Sequence, residues 1–185
     1  IEFARYQFQK TWHGDAVLTL WSSVKVSGFS GFSEYHTVRS AVSESEYNFF
    51  QSLNLQEGDL VDVGANLGVV SGLMGHLWPD RTVHSFEPGP STFQSLQTTI
   101  QLNDLSNVRP NNLALSDRDG KLVFDSSPHS RATAKLAEQT SDDLVEASDQ
   151  FIHVPSTTLD NYIEKSEASR ISLLKLDVEG YEPLV

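Results

Sequence analysis

A set of glycines and two acids at fixed spacing are the first places in this chain where residue type implies chemistry. Asp62-Val63-Gly64-Ala65-Asn66-Leu67-Gly68 leaves a short apolar run, Leu60–Val63, and opens a stretch of helical character. Glycine at 64 permits a tight turn and lets a ligand approach the backbone. The helix that follows presents unpaired amides and a partial positive end. Glu87 lies 19 residues beyond Gly68, at the end of a second apolar run. A carboxylate there accepts hydrogen bonds from both hydroxyls of a ribose. Turn and acid together point to a nucleoside-containing cofactor. The plain alternative is that Gly64 and Gly68 only make a tight strand–helix connection.

Glycine spacing bears on which cofactor. The dinucleotide fingerprint Gly-x-Gly-x-x-Gly uses the helix end to hold a pyrophosphate. Here the spacing is Gly64-x-Asn66-x-Gly68, with Asp62 two residues ahead of the first glycine. That acid repels a pyrophosphate but can receive the ammonium of an amino-acid-bearing nucleoside, which favours S-adenosylmethionine over NAD. The histidines, at 13, 36, 76, 84, 129 and 153, show no metal-ligand spacing. His76 and His84 read as structural. His36 is a candidate general base or an ordinary loop histidine. Tyr35 and Trp21 are candidates either for an acceptor pocket or for the core.

The whole chain must supply elements to position these groups. Its 185 residues, 38% hydrophobic, suit one domain with a real core. With no cysteine, disulfide scaffolds, thiolate zinc sites and cysteine nucleophiles are excluded. Thirteen basic residues against 25 acidic ones give a net charge of −12, which disfavours nucleic acid as a partner. No apolar run approaches the roughly 18–20 residues that span a bilayer. No membrane partner is expected, and a cytoplasmic setting is. The chain begins at Ile1 and ends at Val185, just beyond an apolar strand, and is expected to be a piece of something longer.

Residues 16–26 partly alternate and read as strand, with a loop or irregular hairpin over 27–35. Ser43 and Glu46 form a capping box for a helix bearing Tyr47, Phe50 and Leu53 on one face. A strand over 60–63 follows, then a helix from an Asn66 cap to about Trp78, and a strand over 82–86. Ser91 and Gln94 make another capping box, ahead of an apolar stripe of Phe93, Leu96 and Ile100. Val108–Leu115 reads as a third strand of this rhythm, and Asp119-Gly120 as a turn into a strand over 121–124. Residues 126–150 are polar and read as a surface insertion. A brief strand over 151–154 and a helix from about Thr158 to Glu167 lead to the most apolar strand, Ile171–Val178.

Strand–helix alternation implies an α/β fold: a doubly wound, mainly parallel sheet with right-handed crossovers. Near-continuous apolar strands such as 171–178 belong inside such sheets, paired on both edges. Either further strands follow in the parent protein or a second chain completes the sheet as a homodimer. The expected division is an amino-terminal extension over 1–42 and the main domain over 43–185, truncated after its fourth core strand.

From about residue 43 onward the chain resembles the FkbM family of S-adenosylmethionine-dependent methyltransferases, within the Rossmann-like methyltransferase superfamily. The landmarks are DVGANLG at 62–68, SFEPGP at 85–90, NNLALSDRDG at 111–120, STTLDNYI at 156–163 and LLKLDVEGYE at 173–182. The resemblance implies a sheet ordered 3-2-1-4-5-7-6, of which this chain supplies four strands. It also implies methyl transfer to a hydroxyl of a small molecule or carbohydrate. Asp62, Gly64, Asn66 and Gly68 would surround the methionine part of the cofactor, with Glu87 on the ribose and Pro88 on the adenine side. Leu113-Ala114 stand where many related enzymes carry an adenine-binding acid, so Ser116, Asp117 or backbone atoms would take that work. Asp177 ends the fourth strand, across the crevice from Asp62, and is the leading catalytic candidate, with Glu179 beside it. For Glu182 the first turn of a helix is explanation enough. No metal is expected. The rival classes are an NAD-dependent oxidoreductase and a non-catalytic cofactor-binding module.

Overall fold

The computed structural model describes residues 17–21, 23–29, 38, 44–126, 151–166, 168, 170–178 and 180–185. In chain order its elements are β1 (Leu18–Leu20), β2 (Val24–Val26), α1 (Glu44–Ser52), β3 (Asp59–Val63), α2 (Val69–Leu77), β4 (Val83–Phe86) and α3 (Pro90–Leu102). Then come β5 (Val108–Asn111), β6 (Ala114–Leu115), β7 (Gly120–Asp125), β8 (Phe151–Thr157), α4 (Leu159–Lys165), β9 (Ile171–Leu176) and a 3-10 turn over Glu182–Leu184.

Four parallel strands in the order β5-β4-β3-β9 form the central sheet. Strands covered on both faces should be apolar throughout, and β3 and β4 each bury nearly every residue. Leu60, Val83 and Val108 face α2 and α3, packing against Met74, Val70 and Ile100. Val61, Val63 and Phe86 face the other way, toward Leu159 and Tyr162 of α4. The fold is therefore α/β and doubly wound, as the alternation implies.

Several boundaries differ from the sequence reading. The stretch 108–115 is two strands. β5 ends at Asn111, and β6 joins a separate three-stranded sheet ordered β6-β8-β7, in which β8 runs antiparallel to β7. Pro110 has no N–H to donate, which suits β5 to the outer position it holds in the described sheet. The Asn112 amide then donates to the carbonyls of Glu87 (2.8 Å) and Pro88 (3.0 Å), fixing the chain where the two sheets part.

Helix starts differ too. Asn66 does not cap α2; it occupies the turn at φ 50°, and Gly68 is the N-cap. α3 begins at Pro90 behind Gly89, because proline at the first helical position loses only an N–H that had no helical partner. Thr158 does cap α4, its hydroxyl accepting from the Asn161 N–H at 3.0 Å. The Ser43 cap, Tyr35, His36, Glu167 and residues 127–150 of the insertion lie outside the described residues.

The segment 18–26 is a hairpin rather than one strand, turning at Trp21 with φ 48°. Trp21 stacks on Tyr47, ring centroids 5.8 Å apart. Leu18, Leu20, Val24 and Val26 bury themselves against Leu67 and Val69. The Asn103 amide, at the end of α3, pairs with the Lys25 backbone as another strand would. It accepts from Lys25 N at 2.7 Å and donates to Lys25 O at 2.6 Å.

Candidate cofactor and active site

The glycine-rich turn is built by the sheet it leaves. After β3 the N–H groups of Gly64 and Ala65 both donate to Phe86 O, at 3.0 and 2.9 Å, which hooks the turn onto the end of β4. Gly64 has φ +74°, and a Cβ there would collide with the Asp177 carbonyl. The end of β9 is thus packed directly against the turn. Gly64→Ala combines a left-handed backbone with that clash, so it should cost about 2–4 kcal/mol of folding stability, measured by urea denaturation.

Glu87 closes the other side. Its buried carboxylate accepts from Asn66 N at 2.9 Å through Oε2, and from Gly89 N (2.8 Å) and Thr92 Oγ1 (2.7 Å) through Oε1. A side chain at Gly89 would place its Cβ 2.9 Å from Oε1, so glycine keeps this carboxylate open. Burial pushes the Glu87 carboxyl above its ordinary 4.5, against the three hydrogen bonds, and the nearby Asp62 adds to the rise. Among the described residues Oε2 accepts one bond, which leaves it capacity for a ligand hydroxyl.

Asp62 is placed differently from the expectation. It is fully buried and already has an ammonium: Lys175, its register partner on β9, sits 3.0 Å from Oδ1, while Ser71 Oγ of α2 donates to Oδ2 at 2.6 Å. Asp62 therefore faces inward and organises the turn, rather than standing open to a cofactor ammonium. Lys175 Nζ also donates to Gly64 O at 3.1 Å and lies 3.6 Å from Asp177. Burial pulls the Lys175 pKa down, but the carboxylates of Asp62 and Asp177 outweigh it and hold the pKa above 10.5. The ammonium stays charged, and the three groups together carry a net −1.

Asp177 stands at the mouth of this cluster with its side chain 65% exposed, and its N–H donates to Val63 O at 3.1 Å. The structure thus brings Asp62, Gly64, Asn66, Glu87 and Asp177 together at the carboxyl ends of β3, β4 and β9, with Gly68 at the start of α2. Glu179 lies outside the described residues. The Glu182 carboxylate accepts from the N–H groups of Val178 (3.1 Å) and Gly180 (3.0 Å), and its own and those amides hold its pKa below 4.5. Its role is to cap that turn.

Ser116 and Asp117 follow β6 and bond within the three-stranded sheet and its turn: Ser116 N to Thr157 O, Asp117 Oδ1 to Arg118 Nε at 2.9 Å. Ser116 is buried. Pro88 offers its carbonyl to Asn112. His84 is buried between Tyr162 and Asp59, as a structural histidine should be, whereas His76 is exposed near the end of α2. Trp21 belongs to the hairpin cluster. Sequence reasoning missed Lys175, Ser71, Thr92 and Asn112. Only Lys175 left a signal, as a lone cation inside an apolar strand, which calls for a buried anion. Among the described residues no group of three or more His, Asp or Glu could hold a metal ion. No described helix is long and apolar enough to cross a membrane.

Comparison with known proteins bears on the same residues. Methyltransferase 1 of Beauveria bassiana is 27% identical over 136 residues, spanning 66% of this chain and 55% of that protein. The hexuronic acid methyltransferase AglP of Haloferax volcanii is 28% identical over 129 residues, spanning 69% of this chain and 48% of that one. The chain spans about half the length of the curated relatives it matches. Among solved structures, an FkbM methyltransferase from Methylobacillus flagellatus aligns with 81% of this chain and 33% of its own, at 19% identity and a TM-score of 0.45. The family model of the methyltransferase FkbM domain matches residues 62–185, from the buried Asp62 through the end of β9 and the Glu182 turn. On that match the chain belongs to the FkbM methyltransferase family.

Proposed function

We propose that this domain binds S-adenosylmethionine and transfers its methyl group to a hydroxyl oxygen of a small molecule or sugar. The observation that carries the reading is Glu87: a buried carboxylate at the end of β4, tied by the Asn66 N–H to the glycine turn. Glu87 accepts a ribose hydroxyl at its remaining Oε2 site, and the 64–68 turn and the start of α2 receive the amino-acid end. Pro88, with Asn112 beneath it, shapes the adenine side. The cofactor supplies a methyl group on a sulfonium that is already a good leaving group, so this chain's task is mainly alignment, which can contribute on the order of 7–11 kcal/mol. The net negative charge of Asp62, Lys175 and Asp177 suits a cationic cofactor. Asp177, exposed at the mouth, orients the acceptor hydroxyl and takes its proton. Lys175 holds Asp177 toward the cleft and remains protonated, so it is not the base.

The sugar acceptor draws support from the hexuronic acid methyltransferase among the relatives. Calorimetric titration with S-adenosylhomocysteine and, separately, NAD tests the cofactor reading. Saturable binding of the first with NAD silent is expected, and the reverse result would move the chain to the oxidoreductase class. Asp177→Asn should lower turnover about 10²–10⁴-fold while leaving S-adenosylhomocysteine affinity within a few-fold. Unchanged turnover would remove Asp177 from the chemistry.

A further inference from the structure

On the sheet face opposite α2 and α3, a recess of about 450 Å³ opens between β5 and the last turn of α4. Its lining is Arg109, Leu113, Thr157, Tyr162, Lys165 and Ser166, of which only Leu113, next to Asn112, adjoins the proposed cofactor site. The volume falls within the roughly 300–1,000 Å³ of small-molecule sites.

The lining has a definite chemistry. Two cations, Arg109 and Lys165, converge on one recess in a chain of net charge −12. Lys165 alone suits the end of a helix dipole, but that does not account for Arg109 on the strand opposite. A guanidinium carries five donors, so a protein partner still leaves it some for a ligand.

The Tyr162 ring is fixed edge-on against Phe86, centroids 4.7 Å apart, and against His84 at 5.5 Å. Its hydroxyl lies 2.9 Å from His84 Nδ1, whose Nε2 is 3.1 Å from Asp59. Burial holds the Tyr162 pKa above 10, so the phenol stays neutral. Leu113 and this ring make the apolar part of the lining. Asp119 is an acid that feels the Lys165 charge, and its carboxylate oxygens are already bonded to Thr157 Oγ1 and Asn161 Nδ2. Ser166 Oγ is likewise committed, to Ile163 O.

The geometry points to a second ligand site here, for a small organic oxyanion whose charged head meets Arg109 and Lys165 and whose apolar body lies on Leu113 and Tyr162. It is separate from the methyl-transfer cleft and does not depend on that reading.

Amide NMR shifts of the chain, titrated at constant ionic strength with phenyl phosphate, test it. Parallel titrations use inorganic phosphate and phenol. Phenyl phosphate should saturate one site, bind more tightly than either part alone, and move the amides of residues 109, 113, 157, 162, 165 and 166. The double substitution Arg109→Gln with Lys165→Gln should weaken it about a hundredfold, at roughly tenfold for each charge-assisted contact. Arg109→Lys should retain part of the affinity. No saturable binding, shifts centred on 62–68 and 87–89, or unchanged affinity in the double variant would each overturn the site. The shift map of the unaltered chain decides the location even should a variant unfold.

Discussion

Lys175→Met should destabilise the fold by about 3–5 kcal/mol, the range expected when one partner of a buried ion pair is removed. The cause is what remains. Asp62 is wholly inaccessible and its Oδ1 faces Lys175, so the variant strands a carboxylate in the sheet interior with Ser71 as its one hydroxyl donor. Adding Asp62→Asn should recover most of the loss, because replacing both charges removes the stranded ion. Urea unfolding of the two single variants and the pair measures the coupling. A coupling energy near zero would mean that the pair is not held as described. The sign with pH follows from the raised Lys175 pKa. A cation bound more firmly in the folded state contributes fully below its unfolded value, near 10.5, and loses that contribution as pH rises through the higher folded value. The lysine's contribution is therefore constant through the physiological range and fades in alkali.

Glu87→Gln should lower S-adenosylhomocysteine affinity about tenfold to a hundredfold, from the one charge-assisted contact of roughly 1.5–3 kcal/mol that its remaining acceptor site makes, only partly replaced by the amide. Calorimetry on the variant measures it. A change below threefold would take the ribose off Glu87 and with it the observation on which the functional reading rests. The acid's raised pKa adds a second expectation. Affinity should fall as pH drops through a value above 4.5, because the protonated acid loses acceptor capacity. Stability runs the other way. The folded chain binds this proton more tightly than the unfolded one, so the Glu87 contribution declines as pH rises from 4.5 through the folded value. Burial thus makes the ionised form of this carboxylate costly in the unliganded protein, a cost that a ligand hydroxyl would offset.

What the sequence disclosed and what it hid divide along physical lines. β3, β4 and β9 are legible because strands buried on both faces are apolar throughout. The turn at 64–68 is legible because backbone shape demands glycine there. Less visible is anything decided by a partner far along the chain. The division of 108–115 depends on Asn112 reaching back to Glu87 and Pro88, more than 20 residues earlier. The inward set of Asp62 depends on Lys175, which becomes its neighbour only once β9 has paired with β3. Asn66 fails to cap α2 for a local reason. Asn66 is a good cap by composition, but the turn required a left-handed residue at that position, and asparagine tolerates that conformation better than most.

The family match begins at Asp62, yet the apolar cover of the residue following Asn66 begins at Leu18. Leu67, within the glycine turn, is buried by Leu18, Leu20, Val24 and Val26, and Asn103 fastens that hairpin from the far end of α3. The stretch recognisable by descent is thus shorter than the stretch that must be inherited together. A graft or truncation cut at the edge of the match would leave Leu67 and Val69 facing water at the floor of the ligand turn. Recombination among relatives should accordingly fare worst where it separates residues 18–26 from 62–103.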